Sequence, residues 1–152
     1  MYVFMKFIIV LFLSLMLPIN SFAGCTAVKS EVKAFDLMAL QSSIMVAALS
    51  CNQQGDYNKL IKKHQFLFNN GGKELKGYFK RIYGSDYESE LNKFITNLAN
   101  LAAKSSMNND SDLYCEQTAD TFKTLFSLGE KKLKKFAEQK SYTSLHGIKF
   151  CS

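Results

Sequence analysis

The chain contains no tryptophan and a single proline, Pro18, among its 152 residues. Proline interrupts helices, so a chain almost free of it can form long continuous ones. It has only two histidines, His64 and His146, and no Cys-x-x-Cys pair. A zinc site needs three or four converging ligands, so the sequence predicts neither a metal centre nor a cofactor.

Signatures of common enzyme chemistries are also missing. There is no Gly-x-Ser-x-Gly elbow, and the pair Gly71-Gly72 lacks the spacing of a phosphate-binding loop. Glu88 and Glu90 lie two residues apart and therefore point to different sides of a helix. The net charge of +6 comes mostly from lysines scattered among acidic residues, a pattern typical of a solvated surface rather than of a nucleic-acid interface.

The first residues have the parts of a secretory signal peptide. A lysine precedes the apolar stretch 7–17, and a proline and the small residues Ser21 and Ala23 follow it. This stretch is shorter than the roughly 20 residues that span a bilayer, and no later segment is predicted to be long or apolar enough to do so. We therefore predict a signal peptide at residues 1–23, with Met5 as an alternative start, and a periplasmic or secreted protein.

The end of this leader has two interpretations. Cleavage after Ala23 fits a small-x-small site, whereas Phe22-Ala23-Gly24-Cys25 approaches a bacterial lipobox with Cys25 as the lipid-bearing residue. A lipobox normally begins with an aliphatic residue, and Phe22 stands in that place. Lipidation would also leave an odd number of cysteines in an oxidising compartment. We therefore favour cleavage after Ala23 and keep a lipid anchor on Cys25 as the alternative.

Apolar residues recur every three or four positions between Leu37 and Ala137, which indicates amphipathic helices. The predicted inner faces are Leu37, Leu40, Ile44, Ala47 or Ala48, and Cys51; Tyr57, Leu60, Ile61, His64 and Phe68; Leu75, Tyr78, Phe79 and Ile82; Leu91, Phe94, Ile95, Leu98 and Ala102; Cys115, Ala119, Phe122 and Phe126; and Leu133, Phe136 and Ala137. The tail 141–151 has no clear period, and no segment alternates like a strand. We predict an all-α, compact bundle of five or six helices forming a single domain over 24–152.

Turn and capping signals separate these helices. Gly55 is predicted to end the first helix, and Asp56 to cap the second. The Asn-Asn-Gly-Gly segment 69–72 is predicted to break or kink the chain. Gly84 ends the next helix, and the segment 85–88, Ser-Asp-Tyr-Glu, has the form of a capping box.

Four cysteines in an exported chain are candidates for two disulfides, with three pairings open. Cys51 and Cys115 each continue the apolar face of a helix. Cys25 and Cys151 lie at the two ends of the exported chain, and chain ends are often neighbours in single domains. We therefore predict a bundle stapled by Cys51–Cys115 and Cys25–Cys151.

Several short motifs occur together between Leu37 and Cys115. They are Leu40-Gln41, Met45-Val46-Ala47-Ala48-Leu49-Ser50-Cys51, Tyr57-Asn58, Tyr78-Phe79 with Arg81 and Gly84, and Leu91-Asn92 with Phe94, Thr96 and Leu98-Ala99-Asn100. In this combination the sequence resembles a small family of exported alphaproteobacterial proteins that has no established activity, and His146-Gly147 and Cys151 extend the likeness. The resemblance implies export, a helical fold and a structural role for Cys51, Cys115 and Cys151. It implies no functional residue.

One cluster of basic and aromatic residues is a candidate binding surface. It consists of Lys76, Tyr78, Lys80, Arg81 and Tyr83. Such a cluster can grip an anionic polymer or a membrane surface, although the solvated face of an ordinary amphipathic helix has the same composition.

These observations favour a non-enzymatic exported protein that binds an envelope component, with a protein partner expected before a membrane and no nucleic acid. One alternative is an envelope enzyme acting on cell-wall or lipid material, with Tyr78, Arg81, Asn92 or His64 in a cleft. Convergence of these side chains in one pocket would favour the enzyme. A further alternative is a cationic protein of the membrane surface or a lipoprotein.

Overall fold

The computed structural model describes residues 27–108 and 110–148, which fold as a helical bundle. The helices are α1 Lys29–Ser50, α2 Gln54–Lys63, α3 Gln65–Tyr83, α4 Tyr87–Met107, α5 Ser111–Ser127, α6 Glu130–Ala137 and α7 Lys140–His146, with a 3-10 turn at Gly84–Asp86. Only His64 separates α2 from α3. If the two are counted as one interrupted helix, the described residues form six helices. The all-α prediction is confirmed, and no β-strand occurs in the described ranges.

The helical segment from Gln54 to Tyr83 is interrupted at His64 and not at 69–72, so the break predicted at 69–72 is wrong. His64 has φ −113° and ψ 28°, whereas α3 continues without interruption through the Asn-Asn-Gly-Gly segment. A Cβ built on Gly71 would lie 2.8 Å from Cδ2 of Leu37 in α1. The glycine therefore allows close approach of two helices instead of interrupting one.

α1 is the central helix of the bundle and contacts each of the other six helices. Four consecutive residues, Ala34–Leu37, are buried, so this part of α1 has no solvent-facing side. α1 is also long and apolar enough to cross a membrane, contrary to the prediction that no segment after the leader would be. Half of its apolar window is buried inside the bundle, as expected for the core helix of a globular protein.

Two apolar clusters pack around α1. The larger contains Leu37, Leu40, Ile44, Ala48, Leu60, Leu67, Phe68, Phe122, Leu125, Leu133 and Ala137. The second contains Ala27, Ala34, Phe35, Leu75, Tyr78 and Phe79. Phe35 is its centre, with ring centroids 4.9 Å from Tyr78 and 5.1 Å from Phe94 in edge-to-face geometry.

The disulfide Cys51–Cys115 is present, which confirms one of the two predicted staples. Its Cα atoms lie 5.3 Å apart, and it joins the C-terminal end of α1 to the second turn of α5. The second predicted staple, Cys25–Cys151, lies outside the described residues. So do the signal peptide at 1–23 and its cleavage site.

Three of the predicted caps do not form. Gly55 lies inside α2 and does not end α1, whose C-cap is Cys51. Asp56 lies inside the first turn of α2, whose N-cap is Gln53, and the capping box before α4 is absent because Asp86 makes no side-chain cap hydrogen bond. Ser85 instead donates from Oγ to Asp86 Oδ1. Gly84 does end α3 as predicted, with a φ of +56° that disfavours other residues.

Candidate functional site

A cleft of about 220 Å³ opens between α1, α4, α5 and α7. Its polar lining includes Ser43 of α1, Ser105 of α4, Tyr114, Gln117 and Thr121 of α5, and Tyr142 of α7. Its apolar lining is Ile44, Ala47, Ala102, Phe122 and Leu145. Among the described residues, no acidic, basic or histidine side chain lines it. The cleft is therefore uncharged and rich in hydroxyl groups.

The hydroxyl groups on α5 have defined hydrogen-bonding roles. Thr118 Oγ1 donates to Tyr114 O, and Thr121 Oγ1 donates to Gln117 O, each at 2.8 Å. Because these protons are already used within the helix, the two threonines can offer only lone pairs to a ligand. They act as acceptors on the α5 wall.

The two tyrosines complement these acceptors with donors. Burial raises the pKa of the Tyr114 phenol above its usual value. Burial also raises the pKa of Tyr142, and the neighbouring Tyr114 adds to that effect. Both phenols therefore stay protonated at neutral pH, and each keeps a hydroxyl proton that it can donate.

The disulfide sets the spacing of two walls of this cleft. Cys51 lies one helical turn after Ala47, and Cys115 directly follows Tyr114, so the covalent bond joins α1 and α5 beside their lining residues. Gln53 Nε2 also donates to the carbonyl of Cys115 at 3.5 Å. The relative position of these two walls is therefore fixed by the fold and does not depend on a ligand.

The fourth wall, α7, is held by a buried histidine–aspartate pair. His146 Nε2 lies 2.8 Å from Asp36 Oδ1, and their side chains are 1% and 5% exposed. The backbone N–H of Ile148 donates to His146 Nδ1 at 3.0 Å, so Nδ1 accepts and Nε2 carries the proton given to the carboxylate. Neither residue lines the cleft. The pair thus anchors α7 to α1 and positions Tyr142.

His64 is buried at the junction of α2 and α3, and its Nε2 has no hydrogen-bond partner in the described part of the chain. Burial lowers the pKa of His64 below its usual value, and the positive charge of Lys63 lowers it further, while Glu130 acts in the opposite direction. The fold therefore favours a neutral ring at this position.

The predicted binding surface on α3 divides between the core and the exterior. Tyr78 is only 5% exposed and belongs to the aromatic cluster, because the helix turns it towards Phe35. Arg81 donates from Nη2 to both carboxylate oxygens of Glu31, at 2.7 and 2.6 Å. Glu31 is nearly buried on α1, so Arg81 ties α3 to the central helix.

The other three members of that surface remain at the exterior. Lys76 Nζ and Lys80 Nζ lie 5.4 and 5.0 Å from the ring centroid of Tyr87 on α4. Tyr83 is partly exposed and stacks on the ring of Phe79. These side chains pack against aromatic neighbours as well as facing solvent.

The residues proposed for an envelope enzyme do not all meet. The guanidinium carbon of Arg81 lies 5.3 Å from the ring centroid of Tyr78. Asn92 lines a shallow polar groove on α4 whose lining includes neither of them, nor His64. Among the described residues, no group of three His, Cys, Asp or Glu side chains is placed to hold a metal ion.

The uncharged cleft was not predicted, because the helix that forms one of its walls, α7, was not predicted. The segment 141–151 lacks a helical period, yet Lys140–His146 is a helix. The available signal was compositional: Ser141, Tyr142, Thr143 and Ser144 form a run of four hydroxyl residues. No protein-family model, curated protein or solved structure matches this chain.

Proposed function

We propose that this protein is an exported, non-enzymatic binding protein, and that the cleft between α1, α4, α5 and α7 holds a component of the bacterial envelope or periplasm. The observation that carries this proposal is a preformed cleft that is lined by both apolar and hydroxyl-bearing side chains. Preformed clefts with a few well-placed polar groups are the usual form of a ligand site.

The disulfide supports the exported location. Such bonds form and persist in oxidising compartments such as the bacterial periplasm, and they are rare in the cytosol. Cys51–Cys115 joins two helices that wall the cleft, so an oxidising compartment would also stabilise the site itself. The signal-peptide composition of residues 1–23 supports the same location.

The placement of the acid–base groups supports binding over chemistry. A nucleophilic hydroxyl needs a base within hydrogen-bond reach, and none of the described residues that line the cleft has a carboxylate or an imidazole. The pair His146–Asp36 is almost completely buried, and both imidazole nitrogens already have partners.

A cationic membrane-surface role has less support. Arg81 is paired with Glu31, and Lys76 and Lys80 lie over the ring of Tyr87. Three of the basic groups that motivate this role are therefore already engaged within the bundle.

The test is capture of a partner from periplasmic and envelope extract, with the exported protein as bait and two matched variants. Thr121→Trp places a large side chain in the cleft. Thr124→Trp makes the same change three residues further along α5, at an exposed position outside the cleft. Circular dichroism and thermal unfolding would first establish that both variants fold.

We expect wild type and Thr124→Trp to retain the same component, and Thr121→Trp to lose it. Equal retention by both variants would show that the cleft is not the binding surface. Repeated failure of the wild-type protein to retain any component would contradict the binding function itself.

A further inference from the structure

We infer that the ligand of this cleft is a neutral, polyhydroxylated molecule of the size of a single sugar ring, either free or as the terminal unit of a glycan. This inference rests on the proposed function, since it names the ligand class for the same site. It follows from the charge, the hydrogen-bonding pattern and the size of the cleft.

The lack of charged side chains in the lining excludes ionic ligands. None of the lining side chains in the described ranges 27–108 and 110–148 is charged, although the whole protein carries a net charge of +6. A charged ligand would lose its hydration on entering and would find no opposite charge to replace it. A neutral ligand avoids this cost.

The hydrogen-bonding pattern then requires a ligand that both donates and accepts. Thr118 and Thr121 offer only acceptors, because their protons are held by backbone carbonyls. The phenols of Tyr114 and Tyr142 offer donors, and the Gln117 side chain offers both. Each hydroxyl group of a sugar is a donor and an acceptor, so adjacent hydroxyls can satisfy both kinds of partner.

The apolar part of the lining and the size of the cleft favour a ring with one apolar face. Ile44, Ala47 and Phe122 contribute hydrocarbon surface to the lining. Sugar rings carry C–H groups on their faces, so such a ring can bury one face against these side chains. Pockets for drug-sized ligands enclose about 300–1,000 Å³, whereas this cleft of about 220 Å³ suits a single ring.

The experiment is a titration of the ¹⁵N-labelled exported protein, followed by ¹H–¹⁵N correlation spectra. The neutral probes are glucose and N-acetylglucosamine, each as the monosaccharide and as the tetrasaccharide. The charged probes are glucuronic acid and glucosamine, which keep the ring and add one charge of either sign. The monosaccharide and tetrasaccharide arms distinguish a free sugar from a glycan end.

We expect saturable shifts of amides in α5 and α7 with at least one neutral sugar, and at least tenfold weaker binding of both charged analogues. Tyr142→Phe removes one phenolic hydroxyl and should weaken binding of that sugar about fivefold. Tyr87→Phe makes the same change at the start of α4, at a residue that does not line the cleft, and should leave binding unchanged. Thr121→Trp should abolish the shifts.

Equal or tighter binding of a charged analogue would overturn the inference, as would shifts that persist in folded Thr121→Trp. The absence of shifts with every neutral sugar would also overturn it. If no sugar binds but the extract still yields a component that Thr121→Trp fails to retain, the ligand class is wrong and the binding function stands. If no sugar binds and the wild-type protein retains no component from the extract, both the ligand class and the binding function are wrong.

Discussion

Removal of the disulfide is expected to cost a large part of the stability of this bundle. The two cysteines are 64 positions apart, and cross-linking a loop of that length lowers the entropy of the unfolded chain by an amount worth about 4 kcal/mol. Unfolding entropy near the midpoint is about 2 cal/mol/K per residue, so this loss corresponds to a fall in Tm of about 15 °C for a domain of this size. The variant is Cys51→Ala with Cys115→Ala.

The assay is urea unfolding followed by circular dichroism, in a background in which Cys25 and Cys151 are both replaced by serine. This background ensures that a single cross-link differs between the two proteins compared. The cleft should also widen, because the bond fixes α1 against α5, and amide exchange in the second turn of α5 should increase. A change in unfolding free energy below about 1 kcal/mol would refute the chain-entropy reasoning.

Three further predictions concern the histidines and the glycine pair. Burial lowers the pKa of His64 in the folded protein, so its contribution to the free energy of unfolding should be complete above about pH 6.5. This contribution should be lost as the pH drops from that value towards the folded pKa. In urea unfolding at a series of pH values, His64→Phe should lack this part of the decrease. Gly71→Ala should destabilise by about 1–2 kcal/mol because its Cβ meets a packed side chain, whereas Gly72→Ala, which meets nothing within 4 Å, should stabilise by about 0.5–1 kcal/mol in thermal unfolding. His146→Ala should leave the carboxylate of Asp36 buried and unpaired, which costs about 3 kcal/mol and should release α7 to rapid amide exchange.

Each of these predictions has a result that contradicts it. A pH profile of His64→Phe parallel to that of the wild type would mean that the ring does not titrate differently in the two states. Equal effects of alanine at Gly71 and Gly72 would show that α1 and α3 do not approach closely at that point. Unchanged exchange in α7 of His146→Ala would remove the anchoring role of the buried pair.

Local periodicity explains why much of the core was predicted correctly. Leu40, Ile44 and Phe122 recur at helical spacing and are buried as expected. Cys51 and Cys115 continue such faces, so packing of the two helices brought them into a disulfide. These properties depend on near neighbours in the chain, which a sequence displays directly.

The incorrect predictions concern residues whose position is set by contacts with distant parts of the chain. Gly71 has the composition of a break, but its role is set by a side chain 34 positions earlier against which α3 packs. Tyr78 was predicted to be both on an inner face and in a binding surface, and its contact with Phe35 places it in the core. Arg81 was assigned to the same surface, and the buried Glu31 on another helix engages it.

The sequence by itself determined the helical class, the main apolar faces and one disulfide, because helix periodicity and cysteine position are encoded locally. Only the tertiary structure decided that α1 contacts all six of the other helices and that the chain after Gln139 forms α7. It also decided that Asp36 and His146, which are 110 positions apart, meet in the core. The cleft exists only where four helices converge, so no single segment of the chain carries its signature.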